Sequence, residues 1–101
     1  MKTLTAVNDR DKTIKDFQLY QNYPNPFNPA TTIRFFLPRR EQVTLKVFDA
    51  LGKEVATLVA DEFVAGEHSI VFDATALAGG IYFYRLVTPA LTIAKPLEIL
   101  K

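Results

Sequence analysis

The side chains that could carry catalysis or hold a metal are few and poorly grouped in this chain of 101 residues. There is no cysteine and only one histidine, so a thiolate metal site, a cysteine nucleophile and a multi-histidine metal site are excluded. His68 is adjacent to Ser69, but neighbouring residues of a strand point to opposite faces, so the histidine cannot activate this serine. We interpret His68 as a partly buried structural residue, because Ile70 and Phe72 share its face.

The acidic residues also fail to form a convincing site. Asp9, Asp11 and Thr13 have the spacing that begins a calcium loop, but isoleucine stands where such a loop needs glycine and tyrosine where it needs glutamate. Asp61 and Glu62 are expected at a loop tip without an apolar pocket, where they would be solvated charges. The four glycines form no phosphate-binding loop. The sequence therefore gives no support for an enzyme, a cofactor or a metal site.

Composition and charge narrow the possible functions further. The 49% hydrophobic content and the chain length predict one packed domain, preceded by a solvated linker over residues 1–16. Twelve lysines and arginines against eleven acidic residues leave a net charge of +1, which argues against nucleic-acid binding. The longest uncharged stretch, residues 17–33, is interrupted by three prolines and predicts no membrane span. The start is too short in apolar residues for an export leader, so a protein working outside the cytoplasm would be longer than this chain.

Alternating apolar residues predict short strands separated by turns. The predicted strands are residues 31–37, 43–47, 53–60, 66–72, 81–87 and 91–100, with a short one at 17–21. Residues 53–60 are ambiguous, since Val55, Leu58 and Val59 also fit helical spacing. Pro96 removes a backbone donor from the last strand, so that strand should be an edge or carry a bulge there. About seven strands with regular turns favour an all-β, antiparallel, immunoglobulin-like sandwich, although alternation alone does not exclude a small barrel.

Two motifs rise above this background. The first is the segment Tyr23, Pro24, Asn25, Pro26, Phe27, Asn28 and Pro29. Each proline fixes its own backbone and restricts the preceding residue, so the segment should be a stiff loop that plugs one end of the sandwich. Its two large apolar side chains, Tyr23 and Phe27, are predicted to anchor it. A proline-rich ligand is the weaker interpretation, because the repeated PxxP pattern is missing.

The second motif is the aromatic entry into a late strand at residues 80–85. Gly80 followed by Tyr82 and Tyr84 is typical of the tyrosine corner of immunoglobulin-like sandwiches, in which the hydroxyl bonds upstream backbone. Alternation places both tyrosines inward and Phe83 outward. Three consecutive aromatic residues also suggest a sugar-stacking surface, but a single exposed ring favours a role in the core.

Together these motifs closely resemble the type A C-terminal sorting domain of the type IX (Por) secretion system. The matching segments are residues 20–29, 31–33, 47–49, 51–55, 66–68, Leu77, 80–82 and 100–101. The resemblance covers residues 17–101, which we take as the domain. It implies a small immunoglobulin-type sandwich, similar to that of flagellar hook-capping proteins. It also implies a non-catalytic domain that ends secreted proteins of Bacteroidetes-type bacteria.

The resemblance further implies partners and recognition residues. The partners would be an outer-membrane export machine, its sorting and cleavage protein, and a cargo domain on the N-terminal side, with delivery to the cell surface or the medium. The residues expected to carry the signal are Tyr23, Pro24, Asn25, Pro26, Phe27, Gly52, Glu54, Val55, Gly80, Tyr82, Lys95 and Lys101. An accessory sandwich of a secreted glycoside hydrolase, binding carbohydrate or acting as a spacer, is the alternative. The long apolar last strand additionally predicts homodimerisation through its edge.

Overall fold

The computed structural model describes residues 16–101, so nearly all of the predicted linker and the calcium-like spacing at Asp9 lie outside the described residues. Seven strands follow one another along the chain. They are β1 (Gln18–Leu19), β2 (Ala30–Leu37), β3 (Glu41–Asp49), β4 (Glu54–Phe63), β5 (Gly66–Asp73), β6 (Gly80–Val87) and β7 (Thr92–Ile99). Within this part of the chain there is no helix of the length and apolarity that a membrane crossing requires.

The strands form two antiparallel sheets that pack face to face. One sheet has the order β1-β2-β5 and the other the order β4-β3-β6-β7. The predicted all-β sandwich is therefore confirmed. The β2–β5 pairing runs without a register shift from Ala30 opposite Asp73 to Leu37 opposite Gly66.

The core lies between the sheets and follows the predicted alternation. Alternate residues of β2 and β3 are completely buried, and they meet inward side chains of β6 and β7, because a period of two puts one face of each strand into the core. The fully enclosed set includes Ile33, Phe35, Leu37, Val43, Leu45, Val47, Tyr84, Leu86, Leu97 and Ile99. Phe83 is 40% exposed, so the prediction that it points outward is confirmed.

The ambiguous segment is a strand with two bulges. Leu45 lies opposite Val59 and Lys46 opposite Thr57, so Leu58 is an extra residue on β4, and a second shift leaves Val55 extra as well. Each bulge puts two consecutive residues opposite one. The apolar residues of β4 therefore recur at helical intervals although the backbone is extended.

The expectation that Asp61 and Glu62 form a loop tip is wrong. Both lie in β4, which continues to Phe63. They are exposed there, and Glu62 forms a 3.7 Å ion pair with Arg40. Two adjacent acidic residues are uncommon in strands, so the sequence pattern ended the predicted strand too early.

The motif loop and the last strand as a candidate recognition site

The motif loop, residues 23–29, is held by one of its two expected anchors. The Phe27 side chain is only 2% exposed, and its ring lies 6.0 Å from that of Phe72 in the core. Tyr23 is 81% exposed, so the prediction that it anchors the loop is wrong. The backbone of Tyr23 exchanges two 3.0 Å hydrogen bonds with Thr32, and strand-like alternation then turns Asn22 inward and Tyr23 outward.

Asn22 is the polar anchor that the sequence interpretation missed. Its side chain is 2% exposed, and its amide nitrogen donates to the Pro24 carbonyl and to the Thr31 hydroxyl, each at 3.1 Å. Its backbone N–H donates to the Tyr84 hydroxyl at 2.8 Å. A buried amide side chain is tolerated only when such partners exist. Asn22 therefore fixes the entry into the motif loop.

The hydroxyls of the two inward tyrosines bond two different connections, Tyr82 the one between β5 and β6 and Tyr84 the one between β1 and β2. The Tyr82 hydroxyl donates to the Ala78 carbonyl at 2.8 Å, the upstream backbone bond that the tyrosine-corner interpretation predicts. The Tyr84 hydroxyl donates to the Tyr20 carbonyl at 2.6 Å while accepting from Asn22. Burial raises the pKa of Tyr84 to about 12, against a smaller opposite effect of the Asn22 N–H. Tyr84 thus stays protonated and keeps donating at physiological pH.

The motif loop completes the outer edge of β7. The Phe27 N–H donates to the Glu98 carbonyl at 3.1 Å, and the Leu100 N–H donates to the Phe27 carbonyl at 2.8 Å. The Asn25 side-chain oxygen accepts the Glu98 N–H at 2.9 Å. We call residues 23–29 and 96–101, joined in this way, the loop–tail unit.

Pro96 lies opposite Phe83 of β6, but its own backbone groups face the outer edge of β7, where no strand pairs, as its missing donor predicts. Its carbonyl accepts from the Gln21 side chain at 2.8 Å and therefore points to the outer edge of β7. Alternate residues present their backbone groups to the same edge, so Glu98 and Leu100 are covered by the loop. Among the described residues, nothing covers the outward backbone groups of Thr92 and Ala94 on this edge. The predicted homodimer through β7 finds no support.

The two lysines expected in the signal have different environments. Lys95 lies opposite Tyr84, which places its half-buried side chain on the core-facing side of the edge strand. Inward-pointing charge on an edge strand opposes pairing with another chain. The Lys101 ammonium donates to the Thr75 carbonyl at 3.0 Å and more distantly to that of Ala74. Lys101 therefore ties the tail to the turn that follows β5.

The remaining predicted signal residues lie at strand ends and serve the fold. Gly52 has φ +88° in the β3–β4 turn and Gly80 has φ +142° at the start of β6, conformations that favour glycine. Hydrogen bonds from Lys46 and Thr57 lower the pKa of Glu54, and Val55 is the extra residue of a bulge. Among the described residues, no hydrogen bond or ion pair joins this turn to the motif loop.

His68 has the structural environment that its sequence context predicts. The His68 ring is half-buried between Phe35 and Phe63, with centroids 5.4 and 4.9 Å away, and its Nε2 lies 2.8 Å from the Val64 carbonyl. Residues 16–101 contain no cluster of three or more side chains suited to hold a metal ion. The candidate site is therefore the folded surface of the loop–tail unit.

Comparison with known proteins identifies the family of this chain. A family model described as "Secretion system C-terminal sorting domain" matches residues 21–99. A search of the curated proteins found no match to the chain. The matched region begins two residues before the motif loop and ends at the last residue of β7. It includes six of the seven strands. The chain therefore belongs to the family of C-terminal sorting domains of the type IX (Por) secretion system.

Proposed function

We propose that this chain is a non-catalytic signal that directs a cargo protein, joined on its N-terminal side, through the type IX secretion system. Its partners are the outer-membrane export machinery and the protein that sorts and cleaves the cargo. The destination of the cargo is the cell surface or the medium. The family match over residues 21–99 supports this role.

The observation that carries the proposal is the construction of the loop–tail unit. Phe27 and Asn22 fix the loop from inside, while four hydrogen bonds join residues 21–27 to residues 96–100. The unit joins segments from both ends of the matched region, so its surface exists only in the folded domain. A receptor that reads this surface would reject unfolded chains.

Within the loop–tail unit, we propose Tyr23 as the main recognition contact. Burial explains the apolar Phe27, but packing does not explain an aromatic ring that is 81% exposed. Exposed tyrosines supply large, rigid contact area at interfaces. Pro24, Asn25 and Pro26 are exposed beside it and hold the loop in one shape. Lys95 and Lys101 then contribute to the signal mainly by stabilising the fold, not by contacting the receptor.

An accessory carbohydrate-binding module has weaker support. Sugar platforms need open aromatic faces, and on the outer face of the four-stranded sheet the Phe48 ring is covered by the Arg85 guanidinium at 4.2 Å. Phe83 then provides the one open ring of that face among the described residues.

The proposal is tested by fusing the full chain behind a signal peptide and a fluorescent carrier in a type IX-competent bacterium. The carrier should reach the cell surface or the medium, and it should remain periplasmic in a matched host with an inactivated type IX system. A carrier that stays periplasmic while the host's own cargo is exported contradicts the proposal. Retention of the purified fusion on a polysaccharide column would then favour the accessory module.

A further inference from the structure

Arg85 is an exception among the arginines that the structure describes. Arg34, Arg39 and Arg40 each form an ion pair with a glutamate, at 3.1, 2.9 and 3.7 Å. The Arg85 guanidinium has no carboxylate within 4.0 Å in residues 16–101 and instead stacks on the Phe48 ring at 4.2 Å. Its charge and its N–H donors therefore remain available to a partner.

The carboxylates nearest to Arg85 are already engaged. The Asp49 side chain accepts from the Leu51 and Lys53 N–H groups at 3.0 and 2.9 Å. Glu54 accepts from the Lys46 ammonium at 3.0 Å and from the Thr57 hydroxyl. Hydrogen bonds from Lys46 and Thr57, and to a smaller extent the charge of Arg85, lower the pKa of Glu54, so Arg85 acts on Glu54 only at longer range. Among the described residues, Arg85 is therefore the arginine without a direct ion pair.

An apolar groove lies beside the unpaired guanidinium. Phe48 is directly opposite Phe83, and Phe83 is directly opposite Pro96, so one apolar row crosses three strands. Ala94, Asp49 and the β3–β4 turn complete a groove of about 230 Å³, with the Asp49 carboxylate held by the N–H groups of its own turn. Ligand pockets for small molecules commonly measure about 300–1,000 Å³, so this groove suits one or two side chains of a larger partner.

We propose that this groove binds an acidic, extended protein segment. A carboxylate of the segment pairs with the Arg85 guanidinium, whose planar fork is held by its stack on Phe48. A neighbouring apolar side chain of the segment packs on Phe83 and Ala94. A protein is favoured over a polysaccharide because the groove offers one open ring and few free hydrogen-bonding side chains.

The groove borders the loop–tail unit. Pro96 ends the apolar row, and its carbonyl is bound by Gln21 next to the motif loop. The inference rests on the proposed function only in naming the export machinery as the source of the acidic segment.

The inference is tested first by titrating the full chain with a ten-residue peptide of alternating glutamate and phenylalanine, followed by NMR. Amide shifts should cluster around Phe48, Phe83 and Ala94. A matched peptide with glutamine in place of glutamate should bind about fivefold more weakly, the upper range for one exposed ion pair. Shifts elsewhere, or equal affinity of the two peptides, would overturn the inference, as would tighter binding of a polyuronate oligosaccharide.

Two variants separate the role of Arg85 from general charge. Arg85→Gln should abolish the preference for the glutamate peptide, while Arg34→Gln, on the other sheet, should retain it. Both residues are exposed, so both variants should keep the wild-type amide spectrum. An equal loss of preference in the two variants would show that net charge alone attracts the peptide and would reject the site.

The delivery assay provides an independent readout. Arg85→Gln should lower surface delivery of the fluorescent carrier, and Arg34→Gln should not. If the wild-type chain fails to deliver, the proposed function is wrong, while the peptide titration still decides the groove. If the wild-type chain delivers and both variants deliver equally well, the groove is not read during export.

Discussion

At the residue scale, Tyr84 joins the core to the segment that precedes the motif loop. Its ring is fully buried, and its hydroxyl bridges the Tyr20 carbonyl and the Asn22 N–H. Tyr82 is also inward, but its hydroxyl bonds the carbonyl of Ala78, an exposed residue. Water can replace the hydroxyl at the Ala78 carbonyl more easily than at the less exposed partners of Tyr84. The two hydroxyls should therefore differ in their contribution to stability.

Removing the Tyr84 hydroxyl should destabilise the domain more than removing that of Tyr82. Tyr84→Phe leaves a buried N–H without its partner, which typically costs about 1–3 kcal/mol. Tyr82→Phe should cost less than about 1 kcal/mol, because water can reach the Ala78 carbonyl. Urea denaturation of both variants measures the difference, and equal midpoints would contradict the assigned roles.

The raised pKa of Tyr84 predicts a loss of stability at high pH. An unfolded tyrosine ionises near pH 10, whereas burial raises the pKa of Tyr84 to about 12. The stabilisation that the protonated Tyr84 provides is complete below pH 10 and is lost as the pH rises from 10 through 12. In that interval the unfolded state releases the tyrosine proton and the folded state keeps it. Between these values the free energy of unfolding should fall more steeply for the wild type than for Tyr84→Phe. Parallel slopes would argue against the shift.

The opposite facing of two neighbouring aromatic residues predicts a large contrast in truncation cost. Tyr82 is 8% exposed and Phe83 is 40% exposed. Tyr82→Ala should cost about 3–5 kcal/mol, the usual penalty for a buried aromatic, whereas Phe83→Ala should stay within about 1 kcal/mol. Thermal and urea midpoints provide the measurement. Similar midpoints would mean that the facing of β6 is misassigned.

At the element scale, β7 is an edge strand of which only one part is open. The motif loop bonds the outward backbone of Glu98 and Leu100, whereas no residue in 16–101 covers the outward groups of Thr92 and Ala94. Exposed edges invite pairing with other chains, and here the loop, the Pro96 ring and the inward Lys95 all limit it. The loop thus protects the strand that it fastens.

Hydrogen exchange should report this division along β7. The amides of Glu98 and Leu100 should be protected, while those of Thr92 and Ala94 should exchange rapidly. Asn25→Ala removes the acceptor of the Glu98 amide and should reduce the protection of Glu98 selectively. Uniform protection along β7 would show that its whole edge is covered, and uniformly fast exchange would show that the loop is not attached.

The elements also show which features the sequence could predict. Strands β2, β3 and β6 alternate strictly, so their inward residues follow from a period of two, although β3 extends two residues beyond the predicted 43–47 at each end. Strand β4 contains two bulges, and a bulge leaves no signal in the pattern except a spacing that resembles a helix. Its end was predicted too early for another reason, because the adjacent Asp61 and Glu62 are uncommon in strands. Tyr23 was wrongly predicted to anchor the motif loop. Its single-residue pairing with Thr32, which no alternation in the sequence indicates, turns the ring outward.

At the scale of the whole molecule, the candidate site depends on contacts between distant parts of the chain. The Asn25–Glu98 hydrogen bond spans 73 residues and the Asn22–Tyr84 bond spans 62. Local periodicity carries no information about such pairs. The motif residues could be predicted from their resemblance to a family, but their division into buried anchors and exposed contacts required the fold.

This division makes the central claim testable as a claim about a folded surface. Tyr23 and Val64 are both exposed apolar residues, at 81% and 52%, but Tyr23 lies in the loop–tail unit and Val64 in the β4–β5 connection. Neither side chain is needed for the core, so Tyr23→Ser and Val64→Ser should both keep the wild-type melting temperature within the range of surface substitutions.

The most direct measurement is surface delivery of the fluorescent carrier fused to wild-type chain, Tyr23→Ser and Val64→Ser in the same type IX-competent host. If the export machinery reads the loop–tail unit as proposed, Tyr23→Ser should lose most of the delivery and Val64→Ser should match the wild type. Wild-type delivery by a stably folded Tyr23→Ser variant would contradict the account, as would an equal loss in the two variants.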